Sequence, residues 1–271
     1  MSILVAVIVA GVCGGLGALA GGILTRSAGA RLQGLVITVC AVAGAAGGRH
    51  IAEVFIEPHI AVMTVERQLS EHPTFSVLKE NYPVEYAQAI RQLRGAIRDG
   101  QNQIDASNAV RAHIGLAVGS ALPKADRANT LNIMRVTHEE GIALRRVSEV
   151  ECGRFLSTGT TNLHLPDVFG PELMARDVQV TAALLKQAAT TPQSWPTTSP
   201  NEVESVWAAA MRRPSSEDRA RLDAWAANGA PSSDLEATCI FTLALLEELL
   251  EMPEDEGAAA YHALLAEQSP G

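Results

Sequence analysis

Two arginines, Arg26 and Arg31, are the only charged side chains between residues 1 and 48, and this near-absence of charge constrains the chain more than any later feature. Residues 3–24 hold no ionisable group except the Cys13 thiol. At a helical rise of about 1.5 Å per residue, such a run reaches across the roughly 30 Å hydrocarbon core of a bilayer. Beyond the polar break at residues 26–31 a second apolar run, residues 32–48, sits at the short end of the spanning range and is rich in Ala and Gly. The expectation is an integral membrane protein, anchored by an N-terminal two-helix hairpin at residues 1–48, with the bilayer as its first partner.

The small residues of the first run are ordered. Ala6, Ala10, Gly14, Ala18 and Gly22 recur at every fourth position, and Cys40, Gly44 and Gly48 repeat the spacing more weakly in the second run. Residues four apart share one helix face, so the pattern describes a smooth, glycine-zipper-like stripe. In lipid, close backbone approach along such a stripe is a main source of helix association. It points to packing of the two helices on each other, self-association, or a protein partner held through the membrane helices.

Other readings of this end are weaker. A cleaved signal peptide would use residues 18–20 as its cleavage site, but it requires a basic start that is missing here and a shorter apolar run. A lipoprotein needs a small residue before the modified cysteine, and Val12 precedes Cys13. Gly11, Gly14, Gly15 and Gly17 follow an aliphatic run and resemble the glycine-rich turn of short-chain dehydrogenases, which would imply an NAD(P)-linked oxidoreductase. The rest of that pattern is absent: no acidic residue precedes Glu53, and none of Tyr82, Tyr86 or Tyr261 is followed four residues later by Lys.

After the hairpin the sequence predicts an all-α body and a smaller C-terminal module. Aromatic residues make up 4% of the chain while Ala is abundant, a balance that favours closely packed helices. Mean hydropathy is +0.12, with the hairpin supplying the apolar excess. A helical stripe beginning at residue 50 is interrupted by Pro58. Pro83 opens a helix whose inner face is Tyr86, Ile90, Leu93 and Ile97, closed by Gly100. Further helical patterns cover residues 102–122, 124–150 and 171–189, with a polar loop at 157–166. Three prolines among Ser and Thr mark residues 191–200 as a linker between the body (49–190) and the module (201–271). Capping boxes at Ser199/Glu202 and Ser233/Glu236 start its helices. The apolar run 237–246 is too short to span a bilayer and reads as a buried core helix.

Charge divides at the same place. Residues 1–190 carry 17 Lys/Arg and 16 Asp/Glu, and residues 191–271 carry 4 and 14, which together give the net −9. The acidic module is unsuited to nucleic acid or anionic lipid. A solvated acidic face, or contact with a basic partner, accounts for it. Arg91, Arg94 and Arg98 form a basic ridge opposite an apolar stripe, a candidate contact for lipid or a partner. Trp195, between prolines, either docks the linker or awaits a partner.

No catalytic set is specific. H-E-x-x-H, G-x-S-x-G and G-x-x-x-x-G-K are missing, and His138, Glu139 and Glu140 are consecutive, so they point in different directions on a helix. His164 and Asp167 share a loop with the hydroxyls of residues 157–161, an unconstrained base-and-nucleophile arrangement. Four widely spaced cysteines indicate neither a zinc site nor a C-x-x-C redox pair; Cys152 and Cys239 read as small buried residues whose pairing is left open. The expected function is therefore a membrane-anchored interaction or assembly subunit with no cofactor or metal. The alternatives are a membrane-active pore or ring and, third, the NAD(P)-linked enzyme. The connecting loop holds Arg26 and Arg31, which leans the body toward the non-cytoplasmic side.

Overall fold

Prolines and small polar side chains decide where the helices begin. The computed structural model describes residues 72–99, 101–195 and 200–267, and the hairpin with its stripe from Ala6 to Gly48 lies outside them. The described residues form ten α-helices and one 3-10 turn, with no strand among them. They are α1 (Pro73–Asn81), α2 (Pro83–Arg98), α3 (Gln103–Ala121), α4 (Arg127–Arg145), α5 (Glu149–Thr158), α6 (Leu165–Thr190), α7 (Pro200–Arg212), α8 (Ser216–Ala227), α9 (Leu235–Glu251) and α10 (Glu254–Glu267), with the turn at Leu122–Lys124. Among the described residues no helix is long and apolar enough to cross a membrane. The described residues fall into two compact units, one within 72–114 and 164–178, the other within 115–163 and 179–267.

In the first unit, α1 packs on α2. Pro73 occupies the first turn of α1, where a missing N–H costs nothing. Phe75 and Leu78 of α1 are fully buried, and Ala89, Ile90, Leu93 and Ala96 are buried along one face of α2. In α6, Leu165, Phe169, Leu173, Met174 and Val178 form its buried stripe. That helix is broken at Gly170, whose φ of 68° is a conformation open to glycine, and Pro171 restarts it. The predicted start at residue 171 thus marks the second half of a longer element. Thr74 Oγ1 donates to the Val178 carbonyl at 3.4 Å.

The second unit is organised around α9. Ala237, Cys239, Ile240, Phe241, Leu243, Ala244, Leu246 and Leu249 are buried on it, so the apolar run is a core helix. Helices α4, α5, α7, α8 and α10 all pack against it. One cluster joins Leu131 and Met134 of α4, Val203 and Val206 of α7, Leu246 and Leu249, and Ala258 and Leu264 of α10. A second joins Ala210, Leu222, Trp225, Ala237, Ile240 and Phe241.

Caps explain where the sequence-predicted boundaries moved. The expected single helix over 124–150 is two, because Ser148 accepts from the Glu151 N–H and starts α5. Asp126 caps α4 in the same way, through the Asn129 N–H. The last buried residue of α4 is therefore Leu144, and Val147 and Val150, inside the expected 124–150 helix, are exposed. Ahead of α9 the cap is Asp234, accepting from the Ala237 N–H at 3.1 Å, one residue beyond the expected Ser233. Glu236 is left to pair with Arg221.

Ion pairs absorb much of the acidic excess after residue 191. Asp218, Arg145, Glu149, Arg221 and Glu236 form one chain of pairs, with N–O distances of 2.9–3.1 Å. Arg213 faces Glu247, Glu248 and Glu251, and those carboxylates hold its guanidinium further into the charged form. Arg127 and Arg135 of α4 pair with Asp255 and Glu254 of α10. Such half-exposed pairs contribute little singly, but they set register between helices.

Candidate functional site

Three clusters of polar or reactive side chains stand out in the second unit, the first drawn from one helix and the loop after it, the other two from groups that the sequence places far apart. The first surrounds Glu151, buried on the inner side of α5. Its Oε2 accepts from Thr161 Oγ1 at 2.9 Å and from the Asn162 N–H at 2.7 Å. Its Oε1 accepts from Asn162 Nδ2 at 2.9 Å and from Arg154 Nε at 3.3 Å. Burial pushes this carboxyl up, but the backbone N–H of Asn162, the Thr161 hydroxyl, the Asn162 amide and the Arg154 charge outweigh it and hold the group below the ordinary range. With four donors on two oxygens, Glu151 is a clamp on the loop after α5, with no lone pair left facing a substrate. The loop leaves α5 through Gly159, at φ 71°.

The second cluster fastens the chain before α7 to the turn between α3 and α4. Gln193 N–H donates to the Lys124 carbonyl at 2.9 Å. Trp195 Nε1–H donates to the Ala125 carbonyl at 2.8 Å, and the Asp126 N–H donates to Gln187 Oε1 at 2.9 Å. Three consecutive residues are thereby held from one side. The indole of Trp195 stacks on His262 of α10, with centroids 4.1 Å apart and planes 19° from parallel. Nε2 of His262 lies 2.9 Å from Thr130 Oγ1. The Thr130 hydroxyl has one hydrogen and points it at the Asp126 carbonyl, 2.8 Å away. In that arrangement the hydroxyl oxygen accepts from His262 when the ring carries its proton on Nε2.

The third cluster is the Cys152–Cys239 disulfide, joining α5 to α9 with a Cα–Cα distance of 5.4 Å. Both cysteines are fully buried. Beside it, a Cβ placed on Gly153 would lie 1.7 Å from the Leu235 carbonyl oxygen, so the glycine is what admits the second backbone.

The residues singled out from sequence fall differently. Trp195 is the docking group of the second cluster. Arg91 and Arg94 are exposed on α2, while the side chain of Arg98 and the stripe residues lie outside the described ones. His164 Nδ1 does meet Asp167 Oδ2 at 2.9 Å, on the surface of the first unit. The hydroxyls proposed as nucleophiles are engaged: Ser157 donates to the Gly153 carbonyl, Thr158 to that of Arg154, and Thr161 to Glu151. Of His138, Glu139 and Glu140, only Glu140 is buried. Among the described residues no group of three or more His, Cys, Asp or Glu is placed to hold a metal ion. Glu151, Gly153 and His262 were not legible as site residues, though glycine directly after cysteine on a helical stripe is a signal of close approach.

Against known families, curated proteins and solved structures, this chain has no match. Its chemistry has to be read from its own geometry.

That geometry gives His262 a measurable signature. Burial lowers its pKa from 6.5 to about 4. Above pH 6.5 the imidazole is neutral in both folded and unfolded chains and adds no pH dependence. Between pH 6.5 and about 4 the unfolded chain takes up a proton that the folded one refuses, so stability falls as the pH drops through this window. The expected loss is on the order of 2–3 kcal/mol. Glu151 acts with the same sign at lower pH, since its depressed pKa makes it stabilising until it is protonated. The His262 ring resonances should stay in their neutral form down to near pH 4 in an NMR titration, and Trp195→Ala should move the midpoint upward. A wild-type midpoint near 6.5 would refute the burial argument.

Proposed function

We propose that the protein is a membrane-anchored helical assembly subunit, held in the bilayer by residues 3–24 and 32–48 and presenting a helical body beside it. Within the body, what supports this reading is the use made of its buried polar groups. Glu151 is saturated by donors, the hydroxyls of residues 157–161 donate to neighbouring carbonyls or to Glu151, and His262 is paired with Thr130 and covered by Trp195. These groups fasten helices together, as the parts of a rigid presenting surface do. For the anchor, the support is the uncharged sequence of both runs and the stripe Ala6, Ala10, Gly14, Ala18, Gly22. Trp207, 37% exposed and backed by Phe241 at 4.1 Å between centroids, is an aromatic group that a partner of the body would cover.

The test is extraction and association together. Full-length protein should stay with membranes through carbonate washing and should crosslink into a defined oligomer or partner complex. Leu at Gly14 and Gly22 should abolish the crosslink, and Leu at Val5 or Val12, off the stripe, should leave it intact. Recovery of intact chain in the soluble fraction would remove the anchor. Vesicle leakage caused by the wild type and lost in Gly14→Leu would replace the assembly reading with the pore.

A further inference from the structure

The crosslinked cysteines sit where no second protein can reach them. Cys152 and Cys239 each have zero exposure, and at Gly153 the α5 backbone lies so close to Leu235 of α9 that a methyl group does not fit between them. Disulfide exchange requires a thiolate to approach a sulfur directly, through a mixed-disulfide intermediate. Closed helices α5 and α9 deny that approach to any second protein.

We propose that Cys152–Cys239 is made by exchange with an oxidised dithiol protein before α9 closes on α5, and hence that residues 115–271 fold in an oxidising, non-cytosolic compartment. The Cys152 or Cys239 thiolate attacks the oxidant's disulfide, forming a mixed disulfide and releasing one thiolate of the oxidant. The second cysteine of the pair then displaces the other. Two thiols of this chain become one disulfide, the oxidant's disulfide becomes two thiols, and the protons follow the sulfurs. Disulfides form and persist in such compartments and are held reduced in the cytosol. The arginines of the hairpin loop, Arg26 and Arg31, point independently to the same side for the body. The oxidation step itself does not rest on the anchor or on the assembly function; only the side of the membrane does.

The test uses full-length protein in its own host, with Cys13→Ser and Cys40→Ser so that the pair alone is counted. After acid quenching and denaturation, a mass-tagged maleimide should add nothing before reduction and two tags after it. Two tags before reduction would overturn the proposal. Wild type checks this without substitution, with two tags rising to four. Reductant present during synthesis should leave both thiols open to tagging, whereas the same reductant given to finished native protein should leave the bond intact. Equal reduction in both cases would overturn the order of events. On the Cys13→Ser/Cys40→Ser background, an impermeant maleimide should label Glu204→Cys in intact cells and spare Ser27→Cys, and the reverse pattern would overturn the compartment. Carbonate resistance is read separately, so loss of the anchor and failure of this inference are distinguishable.

Discussion

Gly153→Ala should destabilise the second unit by about 3 kcal/mol or more, among the largest effects of adding one methyl group anywhere in the described chain. The added Cβ would meet the Leu235 carbonyl oxygen at 1.7 Å, its carbon at 2.5 Å and the Cα at 2.9 Å. All three are backbone atoms, so no rotamer change relieves the overlap and α5 must move off α9. The neighbouring disulfide resists that movement. The control is Gly115→Ala in α3, where nothing lies within 4 Å of the new methyl. There the helix propensity of alanine should raise stability by about 0.5–1 kcal/mol. Urea unfolding compares the two, and equal effects of the same sign would mean that the α5–α9 approach is wrong.

Cys152→Ala/Cys239→Ala should cost about 4–5 kcal/mol, mainly through the unfolded chain. The bond joins residues 87 apart in sequence, and closing a loop of that length removes much of the freedom of the denatured ensemble. Two small cavities against α9 add to the loss. Unfolding of the wild type in denaturant with reductant should lower the midpoint to match that of the double variant. A midpoint shared by oxidised wild type and variant would mean that the crosslink contributes nothing to the fold.

What could be read from the sequence was whatever depends on neighbours along the chain. Pro83 starts α2, Ile90 and Leu93 line its inner face, and the run 237–246 is buried in a helix. Where two local signals competed, periodicity misled. Ser148 is an N-cap, its hydroxyl accepting from the Glu151 N–H, yet the helical pattern over 124–150 runs straight through it, and the hydrogen bond of the cap prevailed. The clusters themselves were not legible. His262 meets Trp195 and Thr130 only because α10 packs against α4 and the turn before it. Cys152 finds Cys239 only because α9 crosses α5. Trp195 was legible as a docking residue in kind, but its acceptor, the Ala125 carbonyl, belongs to a turn 70 residues earlier.

The position of α9 in the chain sets a timetable for synthesis. Helices α4 and α5 are complete by residue 158, but the surface they bury against is not made until Leu235–Glu251. At an elongation rate of about 5–20 residues per second, they emerge and wait roughly 5–20 seconds for it. Throughout that interval Leu131 and Met134 have no α9 to cover them, and the nascent chain must be kept from aggregating by whatever receives it. A ribosome stalled before residue 235 would therefore hold an unfinished core, and the unit's cooperative folding belongs to the completed polypeptide.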